Sequence, residues 1–325
     1  MRSYDDALSD KALQKITFQY GTAVRRYAAV ASWRQIFKTI FYDIKEEDLA
    51  TALYKSGHHA QIHYGLWRKN TKKFDDAIRN MSDYAFRSTF PHYTGKRIDF
   101  VHLGCGFGGC ELRQAKKYPA FRSMGISLDR SQVETAKKLA ILNDLSERVR
   151  FTRANFLDYK PSNPKSFDGG IAIESFCYVP RSQLDILWAN TYSLLKRGAR
   201  FTVLDWYLTR ELTEDESQKL EVFLKGWDMP DCVNVSVMVD AAEKNGFELV
   251  DEEDITPKII KSAKKIHFRA AIFKPIVWWA QGKNNYLETI GLAQSQTKDF
   301  VATSLIQYHL FKDGVITYRR ITFKK

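Results

Sequence analysis

A glycine-rich stretch is the part of this chain that most clearly predicts a bound ligand. It follows an apolar run over Asp99–Leu103 and precedes a helical pattern over Glu111–Lys117. Glycines between a strand and a helix let a ligand approach bare backbone, and the first N–H groups of a helix have no partner inside it. A tight turn without a ligand would contain the same residues, so the spacing alone does not decide. The glycines are Gly104, Gly106, Gly108 and Gly109.

Polar residues follow the next two predicted strands. Ser127 stands where a dehydrogenase-type dinucleotide site has an acid that binds a ribose diol, and Asp129 and Gln132 lie close enough to replace it. Asn155 and Phe156, after the third strand, suit the edge and the face of an adenine ring. Three consecutive strand ends of this kind predict an adenosine-type ligand lying across the sheet.

Alternating strand and helix patterns position these residues. Such alternation from residue 98 onward predicts an α/β fold with a parallel, doubly wound sheet and right-handed crossovers. Ligands of these sheets bind at the carboxyl ends of the strands. Gly198 is predicted to cap the helix before the fifth strand. The predicted strands are 98–103, 122–126, 149–154, 167–174 and 200–206, and the predicted helices are 110–117, 131–143 and 183–195.

The rest of the chain predicts helical additions to this sheet. Residues 1–80 are interpreted as an N-terminal helical lid, and residues 81–325 as the sheet domain with helical insertions at about 210–230 and 257–310. Two late strands are expected over 247–254 and 315–323. Asp313-Gly314 predicts a hairpin that pairs the second of them with residues 309–311.

The composition favours some partners over others. A net charge of +12, from 50 Lys and Arg against 38 Asp and Glu, predicts an anionic partner. The basic residues occur in short runs without a nucleic-acid motif, so we expect no nucleic-acid partner. No apolar run reaches the roughly 18 residues of a membrane helix, and no signal-peptide core is present. We therefore expect a cytoplasmic protein without stable membrane insertion.

Neither the cysteines nor the histidines predict a metal site. The four cysteines lack the Cys-x-x-Cys spacing and are expected to be free thiols. His58, His59 and His63 lie close together in an aromatic-rich loop, but no carboxylate accompanies them at a useful spacing. We expect no bound metal there.

Four stretches together resemble the class I S-adenosylmethionine-dependent methyltransferases. Leu103–Gly109 looks like their first glycine motif, and Gly125–Gln132 looks like the Gly-x-Thr-Leu-Ser-x-x-Gln form of the sterol, cyclopropane-fatty-acid and terpenoid C-methyltransferase branch. Ile173–Pro180 is similar to a stretch of the sterol C-methyltransferases, and His63–Trp67 resembles their substrate-side loop. The resemblance spans roughly residues 60–206. It implies a Rossmann-like, seven-stranded, mostly parallel sheet.

The resemblance implies S-adenosyl-L-methionine as the cofactor. One position departs from the family pattern, because His102 stands where an acid usually contacts the amino group of the cofactor's methionine part. The residues that the resemblance assigns to the cofactor are Tyr64, Gly104, Cys105, Gly106, Gly108, Ser127, Leu128, Gln132, Asn155 and Phe156.

The resemblance also implies methylation of an alkene carbon. Such a carbon attacks the sulfonium methyl, and nearby aromatic faces stabilise the resulting carbocation by about 0.5–2 kcal/mol each. Glu174 and Tyr64 are the predicted catalytic residues, with Glu174 as the base. Alternatively, Glu174 caps the following turn or binds the cofactor's amino group, and the aromatic residues are ordinary packing. The predicted substrate-binding residues are Trp67, Phe176, Tyr178, Trp206, Phe223 and Trp227.

The basic excess favours an anionic isoprenoid substrate, a prenyl diphosphate such as geranyl or farnesyl diphosphate. Cyclisation could follow methylation. Arg25, Arg26, Lys225 or cations within residues 261–269 could bind the diphosphate, with Mg²⁺ bridging its phosphates. Methylation of a sterol, a tocopherol-like phenol or an amine is the alternative. A non-catalytic or nucleic-acid-binding protein on the same fold is a third hypothesis, and a homodimer is compatible with each.

Overall fold

The computed structural model describes residues 49–55, 60–163, 166–281 and 294–325. Most of the predicted N-terminal lid, with Arg25 and Arg26, lies outside the described residues, as do His58 and His59. The predicted division into a lid and a sheet domain therefore stays a prediction.

A single seven-stranded sheet organises the described chain, in the order β3-β2-β1-β4-β5-β7-β6. Neighbouring strands are parallel except at β7, which runs antiparallel to both β5 and β6. The order reverses between β1 and β4, and in open sheets such a reversal opens a crevice for ligands. This confirms the predicted fold class. The strands are β1 Ile98–Leu103, β2 Phe121–Ser127, β3 Val149–Arg153, β4 Phe167–Ile173, β5 Leu195–Leu208, β6 Glu248–Asp254 and β7 Ile316–Lys324.

Helices cover both faces of the sheet, as the alternation predicted. The helices are α1 Leu49–Lys55, α2 Phe74–Thr89, α3 Gly109–Lys117, α4 Arg130–Leu142, α5 Leu184–Leu194, α6 Glu214–Trp227, α7 Val235–Lys244, α8 Thr256–Gln281 and α9 Gln294–Lys312.

Two apolar clusters form the core, one on each face, because successive strand residues point to opposite sides. Phe100 of β1 and Trp206 of β5 belong to the first cluster, with side chains of α2, α3, α4, α8 and α9. Val101 and Phe201 of the same strands belong to the second, with α5 and α7. The face of α2, α3, α8 and α9 is called the first face below. In the part of the chain that the structure describes, no helix has the length and apolar character to cross a membrane.

The prediction that Gly198 caps a helix is wrong. The helix ends at Leu194, and Gly198 lies inside β5 with a φ of +79°. There the pairing with β4 shifts irregularly between Leu195 and Arg200. Its left-handed conformation serves a bulge in the strand, another common use of glycine.

The predicted hairpin across Asp313-Gly314 is also wrong. Residues 309–311 form the last turn of α9, and the Asp313-Gly314 turn joins that helix to β7. Gly314 has a φ of +67°, and the N–H of Val315 donates back to the carbonyl of Leu310 at 2.9 Å. A left-handed glycine ends helices as readily as it turns hairpins, so the same dipeptide fits both.

Candidate functional site

Glu174 stands directly after β4 in a strained conformation. Its φ is +49°, a region that residues other than glycine seldom adopt and that often marks a functional position. The Oε1 atom accepts hydrogen bonds from the backbone N–H of Tyr64 at 2.7 Å and from the hydroxyl of Tyr318 at 2.8 Å. Burial, with a smaller contribution from the Asp205 carboxylate, raises the pKa of Glu174 to about 8 against the lowering effect of the two hydrogen-bond donors. In the folded protein without a bound ligand, the Glu174 carboxyl group is therefore protonated near neutral pH.

Asp205 is a second buried carboxylate near the end of β5. Its two oxygens accept the backbone N–H groups of Cys177 at 2.9 Å and of Trp206 at 3.0 Å. Burial raises its pKa to about 6. The sequence analysis missed this residue, although an acid near the end of an apolar strand was the available signal.

Five aromatic rings pack against one another on the first face, and we call them the aromatic cluster; the hydroxyl of one of them, Tyr318, donates to the Glu174 carboxyl group. The Tyr64 ring makes edge contacts with three of them at centroid distances of 5.7–5.8 Å. The cluster brings together three predicted aromatic residues and two that the sequence analysis missed. The predicted members are Tyr64, Trp206 and Phe223, and the additional members are Phe311 and Tyr318.

The other predicted substrate-binding aromatics lie elsewhere or at the margin. Phe176 is buried on the opposite face, stacked on Phe201 at 5.7 Å, because it points into the core below α5. Trp67 lies beneath two lysines of α8, and Trp227 packs against α9. Tyr178 is partly buried against the first-face core.

The glycine turn joins β1 to α3 and contains an open backbone surface. Gly104, Gly106 and Gly108 all have positive φ values, of +86°, +56° and +76°. A Cβ on Gly104 would come within 2.3 Å of the Ser175 side chain, and one on Gly108 within 2.2 Å of Phe151. A Cβ on Gly106 would meet no atom within 4 Å. Gly104 and Gly108 are therefore required for packing, whereas Gly106 leaves space in which a ligand can approach the backbone.

His102 and Glu111 form a buried pair next to this turn. The Nδ1 atom of His102 lies 2.8 Å from Oε1 of Glu111. Within the described residues, neither Nε2 of His102 nor Oε2 of Glu111 has a hydrogen-bond partner. Buried polar atoms of this kind usually find a partner, so the pair offers contacts to a polar ligand. The carboxylate that His102 replaces in the family pattern is thus present nearby on α3, in the first helical turn after the glycines.

The predicted adenosine-side residues lie at the ends of β2 and β3. The Ser127 hydroxyl donates to Oε1 of Gln132 at 2.9 Å, which brings the two predicted residues together. Asp129 instead caps α4 by accepting the Gln132 N–H. The Asn155 side chain accepts the N–H of Leu157 at 3.0 Å and fixes the turn after β3.

The remaining predicted cofactor residues flank these turns. Cys105 lies buried within the glycine turn, and burial raises the pKa of its thiol. Leu128 follows β2, and its carbonyl accepts a hydrogen bond from Arg153. Phe156 packs against Phe176 at a centroid distance of 5.8 Å.

Among the residues that the structure describes, the site has no group of protein ligands for a metal. Across the described ranges, no three His, Cys, Asp or Glu side chains are grouped so as to hold a metal ion. All four cysteines are free thiols, as predicted. The Lys225 ammonium, one of the predicted diphosphate ligands, forms an ion pair with Asp299 at 3.0 Å.

Comparison with known proteins identifies a methyltransferase domain over residues 100–198. The chain is 26% identical over 250 residues to a sterol 24-C-methyltransferase of Gibberella zeae. The aligned residues make up 75% of this chain and 60% of that relative. It is 28% identical to 24-methylenesterol C-methyltransferase 2 of Arabidopsis thaliana over 77% of this chain and 67% of that one. The chain therefore spans only about 60% of the length of the first of these relatives.

Solved structures share the same fold. A geranyl diphosphate C-methyltransferase from Streptomyces coelicolor A3(2) matches with a TM-score of 0.62 and 15% identity over 86% of this chain and 94% of that one. The cyclopropane synthase MmaA2 from Mycobacterium tuberculosis matches with a TM-score of 0.66 and 14% identity over 82% of this chain and 90% of that one. These likenesses show the fold. Together the matches support the predicted class I S-adenosylmethionine-dependent methyltransferase of the sterol and terpenoid branch, with S-adenosylmethionine as its cofactor.

Proposed function

We propose that this chain transfers a methyl group from S-adenosyl-L-methionine to an alkene carbon of an isoprenoid. The observation that carries the proposal is the arrangement around Glu174. The Glu174 carboxyl group accepts hydrogen bonds from two residues of the aromatic cluster, and a second buried carboxylate, that of Asp205, raises its pKa. Aromatic rings and carboxylates both favour a positive charge between them.

The proposed reaction uses these residues in two ways. The aromatic cluster stabilises the carbocation that forms when the alkene carbon takes the methyl group. In its deprotonated form, Glu174 then accepts a proton from the carbon next to the cation, which leaves an alkene in the product. Tyr64 and Tyr318 hold Oε1 of Glu174, so the carboxyl group keeps one orientation while its second oxygen remains available. Asp205 keeps the local charge negative, which favours a cationic transition state.

The residues around the glycine turn fit the proposed cofactor. The backbone at Gly106 faces open space, and the unpartnered oxygen of Glu111 suits an ammonium group. Ser127 and Gln132 suit a ribose diol, and Asn155 suits the adenine. When bound, S-adenosyl-L-methionine supplies an electrophilic methyl group on a sulfonium.

A prenyl diphosphate such as geranyl or farnesyl diphosphate is the substrate that we propose first, because the chain is basic and a structural neighbour is a geranyl diphosphate C-methyltransferase. Its diphosphate makes this partner anionic, and Mg²⁺ would be its counter-ion. A sterol is the second candidate, because the curated relatives with similar sequences are sterol methyltransferases. Tocopherol-like phenols and amines stay alternatives with less support.

Product analysis tests the proposal. The protein is incubated with methyl-labelled S-adenosyl-L-methionine and a panel of prenyl diphosphates, sterols, phenols and amines, and products are identified by mass spectrometry. We expect label on carbon in an isoprenoid, and the labelled member of the panel names the substrate. Label only in an amine or phenol product would contradict C-methylation. Cofactor binding measured by calorimetry separates a failed substrate choice from a protein that binds no cofactor at all.

A further inference from the structure

The outer face of α8 combines positive charge with exposed apolar side chains. Six side chains at the spacing of one helix face project within an arc of about 140° at 100° per residue. The opposite side of the helix is packed against the protein, with Ile259, Ser262, Ala263 and Ala270 buried. The outer face consists of Lys261, Lys264, Lys265, Phe268, Arg269 and Ile272.

The apolar members of this face are exposed to solvent and adjacent to each other. Phe268 is 55% exposed and Ile272 is 69% exposed, and they lie four residues apart, so they are neighbours on the helix surface. Leaving two large apolar side chains in water is unfavourable. Their position among cations rather than beside other apolar residues indicates a partner that is both apolar and anionic.

Three cations of this face lie over aromatic rings of the protein. The ammonium groups of Lys261 and Lys265 lie 4.2 and 5.2 Å from the ring centroid of Trp67, and the Arg269 guanidinium lies 5.8 Å from that of Phe74. Such contacts orient the side chains without neutralising their charge. The helix sequence over Thr256–Gln281 contains no Asp or Glu, so α8 itself offers these cations no carboxylate.

The positive surface continues beyond Trp67, the residue whose ring lies under Lys261 and Lys265. Arg68 and Lys69 follow Trp67 directly and line a cavity of about 430 Å³ together with Arg79 and Arg113. One carboxylate, that of Asp76, lines the same cavity and pairs with Arg79 at 2.6 Å. Because Arg113 pairs with Asp83 at 2.8 Å, the unbalanced positive charge of this cavity comes from Arg68 and Lys69, and it suits a phosphate group.

We propose that the outer face of α8 docks on an anionic phospholipid surface. A helix with cations flanking apolar side chains lies in the membrane interface, with the cations on the headgroups and the apolar tips among the acyl chains. Nucleic acid would match the cations but not the exposed Phe268 and Ile272. This inference concerns the location of the protein and does not depend on the proposed reaction.

Vesicle sedimentation of the full chain tests the inference. Vesicles of phosphatidylcholine containing phosphatidylserine should bind the protein, vesicles of phosphatidylcholine alone should bind it far less, and added salt should release it. The combined change Lys261→Gln, Lys264→Gln and Lys265→Gln should weaken binding roughly a hundredfold, at about fivefold for each cation. The pair Phe268→Ser and Ile272→Ser should weaken it about tenfold or more.

Matched control variants lie on other surfaces. Lys116→Gln on α3 and Ile141→Ser on α4, where Ile141 is 63% exposed, should leave vesicle binding unchanged. Circular dichroism establishes that each variant is folded. Equal binding to neutral and anionic vesicles, equal weakening by the control variants, or binding to RNA with no binding to vesicles would each overturn the proposal.

Discussion

The carboxyl groups of Glu111 and Glu174 follow the neighbouring strands β1 and β4. They differ in the charge of the groups that lie next to them. Glu111 lies 2.8 Å from the imidazole of His102, a group that can balance its charge. Glu174 has neutral donors as its hydrogen-bond partners, and the charged group that shifts its pKa is the carboxylate of Asp205, which has the same sign. The Glu111 carboxylate thus has a basic group next to it inside the fold. The Glu174 carboxyl group has none among its hydrogen-bond partners, so it must either keep a proton or lie next to the positive charge of a bound ligand. We infer that the Glu174 site is where the structure favours a cation.

The largest effect on turnover is expected from a substitution of Glu174. Glu174→Gln should lower kcat about 10³–10⁴-fold, because the amide has nearly the same shape but cannot accept the proton. Turnover is measured with labelled cofactor and the isoprenoid found by product analysis.

The control is Glu147→Gln, an exposed carboxylate away from both sites, which should leave kcat unchanged. Binding of S-adenosyl-L-homocysteine should be retained in Glu174→Gln. If that variant loses cofactor affinity while its residual turnover is normal, Glu174 is a cofactor ligand rather than the base.

Stability should fall as the pH rises. The pKa of Glu174 is raised from 4.5 to about 8, so the folded chain keeps a proton that the unfolded chain releases between these values. The contribution of Glu174 to the free energy of unfolding should therefore decrease by about 3–5 kcal/mol across that window, offset in part below about pH 6.5 by His63, whose pKa burial lowers to about 4. Asp205, with a pKa of about 6, adds to the decrease only at the lower end.

Urea unfolding at a series of pH values measures this loss. Glu174→Gln should flatten the curve above about pH 6, and Asp205→Asn should flatten only the part below it. A wild-type curve that is level from pH 6 to 8 would show that Glu174 is not protonated in the fold.

Substitutions at the buried pair of His102 and Glu111 should have effects on stability that are not additive. Glu111→Gln and His102→Asn should each lower the free energy of unfolding, and the double variant should lose less than the sum, by about 1–3 kcal/mol. Glu111→Gln should also weaken binding of S-adenosyl-L-homocysteine about tenfold but leave 5′-methylthioadenosine, which lacks the amino acid part, unaffected. Equal weakening of both ligands would mean that the pair supports the turn without contacting the amino group.

Two tyrosines give the smallest and most selective effects. Tyr318→Phe removes a donor that lowers the pKa of Glu174, so the rise of activity with pH should move to higher pH, with a loss of about tenfold near neutrality. Tyr64→Phe removes only the hydroxyl contact with Gln307 and should cost severalfold without moving the pH profile. Its ring and its backbone N–H, which contacts Glu174, remain. An identical shift in both variants would contradict the separate roles.

The parts of the site that sequence reasoning found are those formed by short stretches. Gly104–Gly109, the Ser127 and Gln132 contact and the position of Glu174 at a strand end all follow from local patterns. Tyr318 and Phe311 were missed because they reach the cluster only through the packing of α9 and the antiparallel return of β7. The dipeptide Asp313-Gly314 between them permits both a hairpin and a helix end, and only the packing of α9 on the first face decides.

The misplaced aromatic residues have a similar explanation. Phe176 is two residues from Glu174, yet a short 3₁₀ turn directs it to the opposite face. Glu111 does not follow from the family pattern, which has its acid at the position of His102, whereas here the helix after the glycine turn supplies the carboxylate. Distances along the chain did not show which side chains share a face.

The close approach of Gly104 to Ser175 links events at the two sites. The Ser175 hydroxyl donates to the carbonyl of Leu103 at 2.7 Å, so the turns after β1 and β4 are fastened together beside Glu174. A substitution that disturbs the turn at Gly104 should therefore also displace Ser175 and, with it, the preceding residue Glu174.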